Sequence, residues 1–304
     1  MEPSAPPPET AVTPSPSSAP EDAPAPPSPR ADRRAVDGFF REVDALSPRP
    51  PGSPALAKLK SLLKRRLTGF GYRVTEEPFP ASTPRGVAAM SNVVAEKPGA
   101  PERVIYLAGH IDTKEGIGAG FTGANDSGSS TAALLEIARV VATEKTTATI
   151  RFLFLDGEES TGPAITPVDG LYGSRFHASR LAVSGKASTV RAFILLDMVG
   201  DTDLALTRDL NSSPELVDLF ARCARETGNE GLLGDHVNTL IDDHVPFAEL
   251  GIPVIDLIDF EYGPGNVFWH TPDDHAGRVS TENMARVADC VLCMVGYLDR
   301  EKGR

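Results

Sequence analysis

Residues 104–112 read VIYLAGHID, and residues 151–159 read RFLFLDGEE. In each stretch a short apolar run ends directly in acidic or histidine side chains. Residues 193–197, FILLD, repeat this arrangement, and a fourth apolar run occupies residues 254–258. Short runs dense in Val, Ile, Leu and Phe are typical of strands buried on both faces of a sheet. The sequence therefore predicts buried strands whose carboxyl ends carry ionisable groups.

Helical spacing of apolar residues separates these strands. The alternation predicts an α/β fold, a three-layer sandwich whose mixed, mostly parallel central sheet is flanked by helices. Ser53-Pro54 marks one helix start, with Ser as N-cap and Pro in the first turn, and Gly69 stands where a C-cap belongs. The remaining helices are expected at residues 129–143, 170–180, 214–227 and 281–298, with further strands at residues 72–79 and 92–96.

The composition excludes several classes of protein. The 304 residues include 30 Lys and Arg against 42 Asp and Glu, a net charge of −12, which argues against nucleic-acid binding. No stretch approaches the ~20 apolar residues of a membrane-spanning helix. Three cysteines cannot build a disulfide scaffold, and Cys290 and Cys293, inside the last helix, are expected to serve packing.

The first thirty residues differ from the rest and hold 11 of the 27 prolines. We expect residues 1–34 to be a disordered Pro/Ala/Ser-rich tether and residues 35–304 to form a single folded domain. The tether lacks the charged start and apolar run of a signal peptide. It is similar to the spacer that follows an export or lipid-anchor signal, which predicts a periplasmic or secreted protein.

Ionisable side chains follow each core strand, and another lies in the loop before the helix at residues 129–143. In open α/β sheets ligands bind outside the carboxyl ends of the strands, so these groups should converge on one cleft. Four carboxylates would repel one another there without a cation, and mixed imidazole and carboxylate ligands favour zinc. The residues are His110, Asp126, Glu158, Glu159, Asp197 and His270.

Five motifs in this order resemble the M28 family of zinc aminopeptidases and glutaminyl cyclases. The resemblance spans roughly residues 90–300 and implies the zinc-dependent exopeptidase fold. The motifs are His110-x-Asp112, Gly-Ala-Asn125-Asp126-Ser-Gly, Asp156-Gly-Glu158-Glu159, Asp197-Met-Val-Gly200 and Trp269-His270-Thr271.

The resemblance implies a ligand set for zinc. Asp126, Glu159 and His270 match the ligands used throughout the family. His110 and Asp197 match the further ligands of the two-zinc aminopeptidases, and the cyclases keep these two without a second metal. The ligands therefore leave two readings open: one zinc per chain in a cyclase, or two in an aminopeptidase.

Three other segments favour the cyclase branch, which closes an N-terminal glutamine to pyroglutamate and releases ammonia. They are residues 242–247 (DDHVPF), Trp269 before the ligand histidine, and residues 171–175 (LYGSR). Cyclases usually carry a Trp in the loop matching residues 160–170, and this chain has none there. The residues expected to contact the substrate are Trp269, Ile165 and Phe247.

The predicted reaction is a zinc-dependent acyl transfer on a peptide with a free N-terminus. Glu158 is predicted to shuttle the proton from the attacking amine to the departing ammonia. Asp197 and Asp242 are predicted to hydrogen-bond to Glu158 or to the substrate nitrogens. The alternatives are a two-zinc aminopeptidase and, more remotely, a binding domain that has lost catalysis. The oligomeric state stays open, and a monomer is compatible with the sequence.

Overall fold

The computed structural model of the protein describes residues 29–300. Its strands are β1 (Arg73–Thr83), β2 (Gly86–Lys97), β3 (Ala100–His110), β4 (Ala148–Leu155), β5 (Val190–Asp197), β6 (Leu206–Asp209), β7 (Leu233–Asn238) and β8 (Val254–Ile258). Its α-helices are α1 (Arg33–Asp44), α2 (Pro54–Gly69), α3 (Ser130–Thr143), α4 (Tyr172–Val183), α5 (Pro214–Thr227), α6 (Val245–Ala248) and α7 (Thr281–Arg300).

Six strands form the central sheet in the order β1-β2-β4-β3-β5-β8. Strands β4, β3, β5 and β8 run parallel, whereas β1 and β2 pair antiparallel with their neighbours. The prediction of a mixed, mostly parallel sheet is therefore confirmed. The parallel strands direct their carboxyl ends to one edge, and this edge carries the ionisable residues.

Alternate residues of the sheet enter two separate apolar cores. Ile105 and Leu107 of β3 join the core beneath α1, α2, α3, α5 and α7. Val104, Tyr106 and Ala108 join the core on the opposite face, with side chains from α4 and α6. Because side chains of a strand alternate between faces, this division shows helices on both sides of the sheet. The molecule is the predicted three-layer sandwich.

The start of α2 is as predicted, and its end is not. Ser53 accepts a hydrogen bond from the amide of Leu56, and Pro54 is the first helical residue. Gly69 is the last residue of the helix rather than its left-handed cap, and Phe70 at the C-cap is still right-handed. Gly71 takes the positive φ of +95°, so the chain reverses two residues later than expected.

The ordered fold begins before the predicted boundary at residue 35. Asp32 caps α1 by accepting from the amide of Arg34, and its own amide donates to Glu136 at 2.6 Å. Arg30 pairs with Asp289 of α7 at 2.8 Å. The predicted disorder of residues 1–28 lies outside the described residues.

The expectation that Cys293 serves only packing is wrong. Cys293 of α7 forms a disulfide with Cys223 of α5, and Cys290 is free and buried. The pairing was missed because the two cysteines lie 70 positions apart in the sequence. Among the described helices, none combines the length and the apolar character needed to cross a membrane.

Candidate metal centre and active site

The parallel strands deliver the site residues as the sequence predicts. His110 and Asp197 are the last residues of β3 and β5. The turn after β4 carries Glu158 and Glu159. Asp126 lies in an irregular turn at residues 124–129, directly before α3. His270 arrives on the long loop after β8.

Three of these side chains form the first metal-binding group. Nε2 of His270 lies 3.3 Å from Oδ2 of Asp126 and 3.1 Å from Oε1 of Glu159. One imidazole nitrogen thus faces two carboxylates at once. The ligand atoms of this group all lie within 4.8 Å of one another.

A second group shares Asp126. Nε2 of His110 lies 3.0 Å from Oδ1 of Asp126 and 3.2 Å from Oδ1 of Asp197. The two oxygens of Asp126 therefore face different histidines. The three side chains of this group are buried, and their ligand atoms also lie within 4.8 Å of one another.

The donor set fits zinc. Zinc takes imidazole nitrogen and carboxylate oxygen at about 2.0–2.2 Å, so ligands sharing one ion in tetrahedral geometry stand about 3.4 Å apart. The nitrogen–oxygen separations of 3.0–3.3 Å around Asp126 match that spacing. Calcium and magnesium prefer shells of oxygen alone. Asp126, Glu159 and His270, with or without His110 and Asp197, would hold the ion.

The candidate metal ligands are held in place by two carboxylates that the sequence did not assign to this role. Asp112 accepts hydrogen bonds from the amides of residues 157, 158 and 159 at 3.0–3.2 Å, which fixes the turn carrying both glutamates. Asp274 accepts from the amides of Asn125 and Asp126 and from the hydroxyl of Tyr262. Both carboxylates are buried. Such partners orient metal ligands and tune their affinity.

Two of the four non-glycine residues with positive φ within residues 29–300 lie at this site. His270 has φ +52°, and Met198, which follows Asp197, has φ +43°. The left-handed region is unfavourable for residues with a side chain, and it persists where surrounding contacts enforce it. The strain therefore falls on a candidate ligand and beside another.

Glu158 has an environment unlike that of Glu159. Its Oε2 lies 3.9 Å from Nδ1 of His110, and it belongs to neither metal-binding group. Burial, together with repulsion from Glu159 and Asp242, raises the pKa of Glu158 well above its usual range. Burial and the nearby Asp197 carboxylate raise the pKa of Asp242 to about 7. A raised pKa makes these two carboxyl groups beside the candidate metal centre stronger proton acceptors than exposed carboxylates.

A cleft of about 340 Å³ opens onto the metal ligands. Trp269, Phe260 and Ile165 supply apolar walls, and Glu158 and Asp242 supply carboxyl groups. The Trp269 ring stacks on His270 with centroids 4.1 Å apart, and Phe260 meets it edge to face at 5.1 Å. Trp269 and Ile165 line the cleft, and their contact with a substrate stays a prediction.

The sequence reasoning missed Lys114, which also lines the cleft. Its Nζ donates to the carbonyl and hydroxyl oxygens of Ser160 at 2.9 and 2.8 Å and lies 3.3 Å from Oε2 of Glu159. The lysine is buried, so it places a positive charge directly beside a metal ligand. The sequence signal that could have identified Lys114 is its position, two residues after Asp112 of the His110-x-Asp112 motif.

Phe247 does not line the cleft, and its assignment to the substrate site is wrong. Its ring is fully buried and stacks on Phe193 with centroids 3.8 Å apart. Asp242, five residues earlier, does reach the cleft. The four-residue helix α6 turns the chain between them, so the two ends of the motif face different surroundings.

The fold and this site together define a zinc-dependent enzyme of the exopeptidase type. Residues 92–295 match Peptidase family M28, and the chain belongs to that family. A glutaminyl-peptide cyclotransferase-like protein of Mus musculus is 30% identical, over 82% of this chain and 72% of the relative.

Solved structures of glutaminyl cyclases have the same fold. A glutaminyl cyclase from an Acidobacteriales bacterium is 34% identical, with a TM-score of 0.85 over 92% of this chain and 99% of that one. A glutaminyl cyclase from Porphyromonas gingivalis is 27% identical, with a TM-score of 0.79 over 87% and 98% of the two chains.

Proposed function

We propose that the protein is a glutaminyl-peptide cyclotransferase that converts N-terminal glutamine to pyroglutamate and releases ammonia. The observation that carries the proposal is the placement of Glu158 and Asp242. Both carboxyl groups line the cleft, and neither belongs to a metal-binding group. Similarity to glutaminyl cyclases in sequence and structure supports it.

The walls of the cleft suit a glutamine side chain. A planar carboxamide can lie against the indole of Trp269, while Ile165 and Phe260 exclude water around it. Holding the chain folded, with the amine near the γ-carbon, makes the attack intramolecular and removes most of its entropic barrier. Zinc bound beneath would supply a Lewis acid for the carboxamide oxygen.

The proton transfers fall to residues of this chain. Glu158 accepts a proton from the attacking α-amine and returns it to the departing amide nitrogen, which leaves as ammonia. Asp242 lines the same cleft, and its carboxyl group is proposed to hydrogen-bond to the substrate amine or to Glu158. Asp197 lies 3.2 Å from Nε2 of His110 and lines the cleft together with Glu158 and Asp242.

We propose one zinc per chain, held by Asp126, Glu159 and His270. In this arrangement His110 pairs with Asp197 and Asp126 instead of binding a second ion. Elemental analysis of the purified protein should give one zinc, and His110→Ala should leave that content nearly unchanged. Two tightly held ions, one of them lost in His110→Ala, would contradict the proposal.

A two-zinc aminopeptidase is the second candidate, because Asp126 faces two histidines as a bridging carboxylate would. Peptides that differ only in the first residue separate the two activities. A Gln-initiated peptide should lose ammonia and remain one chain, whereas a Leu-initiated peptide should stay intact. Release of free leucine would favour the aminopeptidase, and an N-acetylated Gln peptide serves as the unreactive control.

We infer further that the protein works in an oxidising compartment, as an exported enzyme does. The disulfide between Cys223 and Cys293 supports this inference, because disulfides persist outside the reducing cytosol. Protein isolated from its natural host should show one reactive thiol after unfolding without reductant, and three after reduction. Three thiols before reduction would overturn the inference.

A further inference from the structure

A buried histidine lies between two carboxylates beneath the cleft. Asp209 ends β6, His244 precedes α6, and Asp256 lies in β8. Nε2 of His244 lies 3.2 Å from Oδ2 of Asp209, and Nδ1 lies 3.6 Å from Oδ2 of Asp256. His244 is 0% exposed, and neither aspartate exceeds 5%. We call these three residues the His244 bridge; none of them lines the cleft.

The geometry of the bridge differs from that of the metal centre. At His270 and His110, one nitrogen faces two carboxylates, as a ligand to a shared ion must. At His244 each nitrogen faces its own carboxylate, although the three side chains are close enough to hold an ion. The imidazole lies within ion-pair distance of both carboxylates, and neither ring nitrogen has a hydrogen-bond partner within residues 29–300.

The bridge is connected to the chain that lines the cleft. Residues 238–242, the cleft segment, all contribute to the cleft wall. Oδ1 of Asp209 accepts from the amide of Leu240 at 2.9 Å, and Nδ2 of Asn211 donates to the Leu240 carbonyl at 2.6 Å. Asp242 at the other end lies two residues before His244. Asp209 therefore holds the middle of the cleft segment, and His244, which contacts Asp209, follows the end of the segment by two residues.

A serine joins the two carboxylates on the far side. The hydroxyl of Ser212 donates to Oδ2 of Asp209 at 2.9 Å and accepts from the amide of Asp256 at 3.0 Å. The bridge is thereby fastened to β8, which belongs to the central sheet. The cleft segment is therefore connected to the central sheet through β8 as well as to the two-stranded sheet of β6 and β7.

We propose that His244 is a positioning residue that fixes the cleft segment, and through it the carboxyl group of Asp242, relative to the metal centre. The kinetic part of this proposal rests on the proposed cyclase function. The structural part does not, because Leu240 belongs to the apolar cluster against which Trp269 packs. Trp269 is the only tryptophan of the chain, so its fluorescence reports on the cleft.

The test compares His244→Phe with His244→Gln, which keeps a donor for one carboxylate. In His244→Phe, zinc content should stay at the wild-type level, while kcat/KM for a Gln peptide falls about 10²-fold, as expected for a misplaced catalytic group. Acrylamide should quench Trp269 more strongly. His244→Gln should recover part of both losses. If His244→Phe does not fold, the isosteric Asp256→Asn takes its place in the same comparison.

His177→Phe is the matched control. His177 is also a buried bridge, 2.7 Å from Oε2 of Glu77 and 3.1 Å from the hydroxyl of Tyr106, and it does not line the cleft. Both Phe variants should lower the melting temperature, but only His244→Phe should change quenching and turnover.

Three results would overturn the proposal. The first is wild-type quenching and turnover in His244→Phe, and the second is loss of the catalytic zinc in that variant. The third is an additional ion in the wild-type protein that is absent from His244→Phe. If the wild-type protein does not cyclise Gln peptides, the proposed function fails. Trp269 quenching in the two His244 variants then decides the positioning role alone.

Discussion

Glu158 and Glu159 are adjacent in the chain, yet their carboxylates meet different partners. Oε1 of Glu159 lies 3.1 Å from Nε2 of His270, and its Oε2 lies 3.3 Å from Nζ of Lys114. Glu158 approaches His110 only to 3.9 Å and borders the cleft. The tight turn fixed by Asp112 thus places one carboxylate in a metal-binding group and leaves the other beside the cleft, as the proposed proton transfer requires.

Replacing Glu158 with Gln should separate catalysis from metal binding. The amide keeps the shape but cannot shuttle a proton, so turnover of a Gln-initiated peptide should fall by about 10²–10⁴-fold. Zinc should remain bound, because Glu158 belongs to neither metal-binding group. Ammonia release and zinc content, measured on the same sample, check both statements.

Glu159→Gln is the matched control for that variant. The change is chemically identical and one residue away, but it weakens a ligand, so zinc and activity should be lost together. Near-normal turnover in Glu158→Gln, or zinc loss in that variant with retention in Glu159→Gln, would show that the two roles are assigned the wrong way round.

At the scale of elements, the sequence predicted the core strands and the residues that follow them. β8 runs over Val254–Ile258 as expected, and β3, β4 and β5 contain the predicted apolar runs. These strands are visible because parallel strands buried on both faces must be continuously apolar. The candidate site lies at the carboxyl ends of these strands, so one sequence pattern predicted both the strands and the site.

Exposed or very short strands left no such pattern. β7 is exposed along most of its length, so its residues carry no apolar run, and β6 is only four residues long. Side-chain direction was also beyond the sequence: Asp242 and Phe247 share a motif, but a short helix turns one to the cleft and the other to the core. Asp274 was passed over because its partners are backbone amides distant in sequence.

Asp274→Asn tests how one loop positions another. The carboxylate accepts from two amides of the turn that carries Asp126, and an amide side chain offers only one oxygen for them. Zinc affinity should fall about 10–100-fold, as for other groups that orient metal ligands. Competition with a chelator of known affinity measures the change.

Asp273→Asn is the control for that prediction. Asp273 is the neighbouring residue, but its side chain is 51% exposed and pairs with Arg278 on the surface. Its replacement should leave zinc affinity unchanged. Equal losses in both variants would mean that the loop responds to general disturbance and that Asp274 has no specific role.

At the scale of the whole molecule, the metal centre and the disulfide lie in different layers. Cys223 and Cys293 join α5 to α7, and neither helix contributes to the cleft. Both helices belong to the larger core, on the face opposite α4 and α6. The disulfide therefore lies apart from the cleft, so we expect its reduction to lower stability and to leave catalysis unchanged.

Cys223→Ser should lower the free energy of unfolding by about 2–4 kcal/mol, because the disulfide closes a loop over 70 positions and restricts the unfolded chain. Urea unfolding with and without reductant measures the loss. Reductant should destabilise the wild type and Cys290→Ser by that amount and leave Cys223→Ser unchanged. Zinc content and turnover at 25 °C should be equal in all three proteins, since the cleft stays folded. Stability of the wild type that is indifferent to reductant, or turnover that falls with the disulfide, would refute the separation of the two layers.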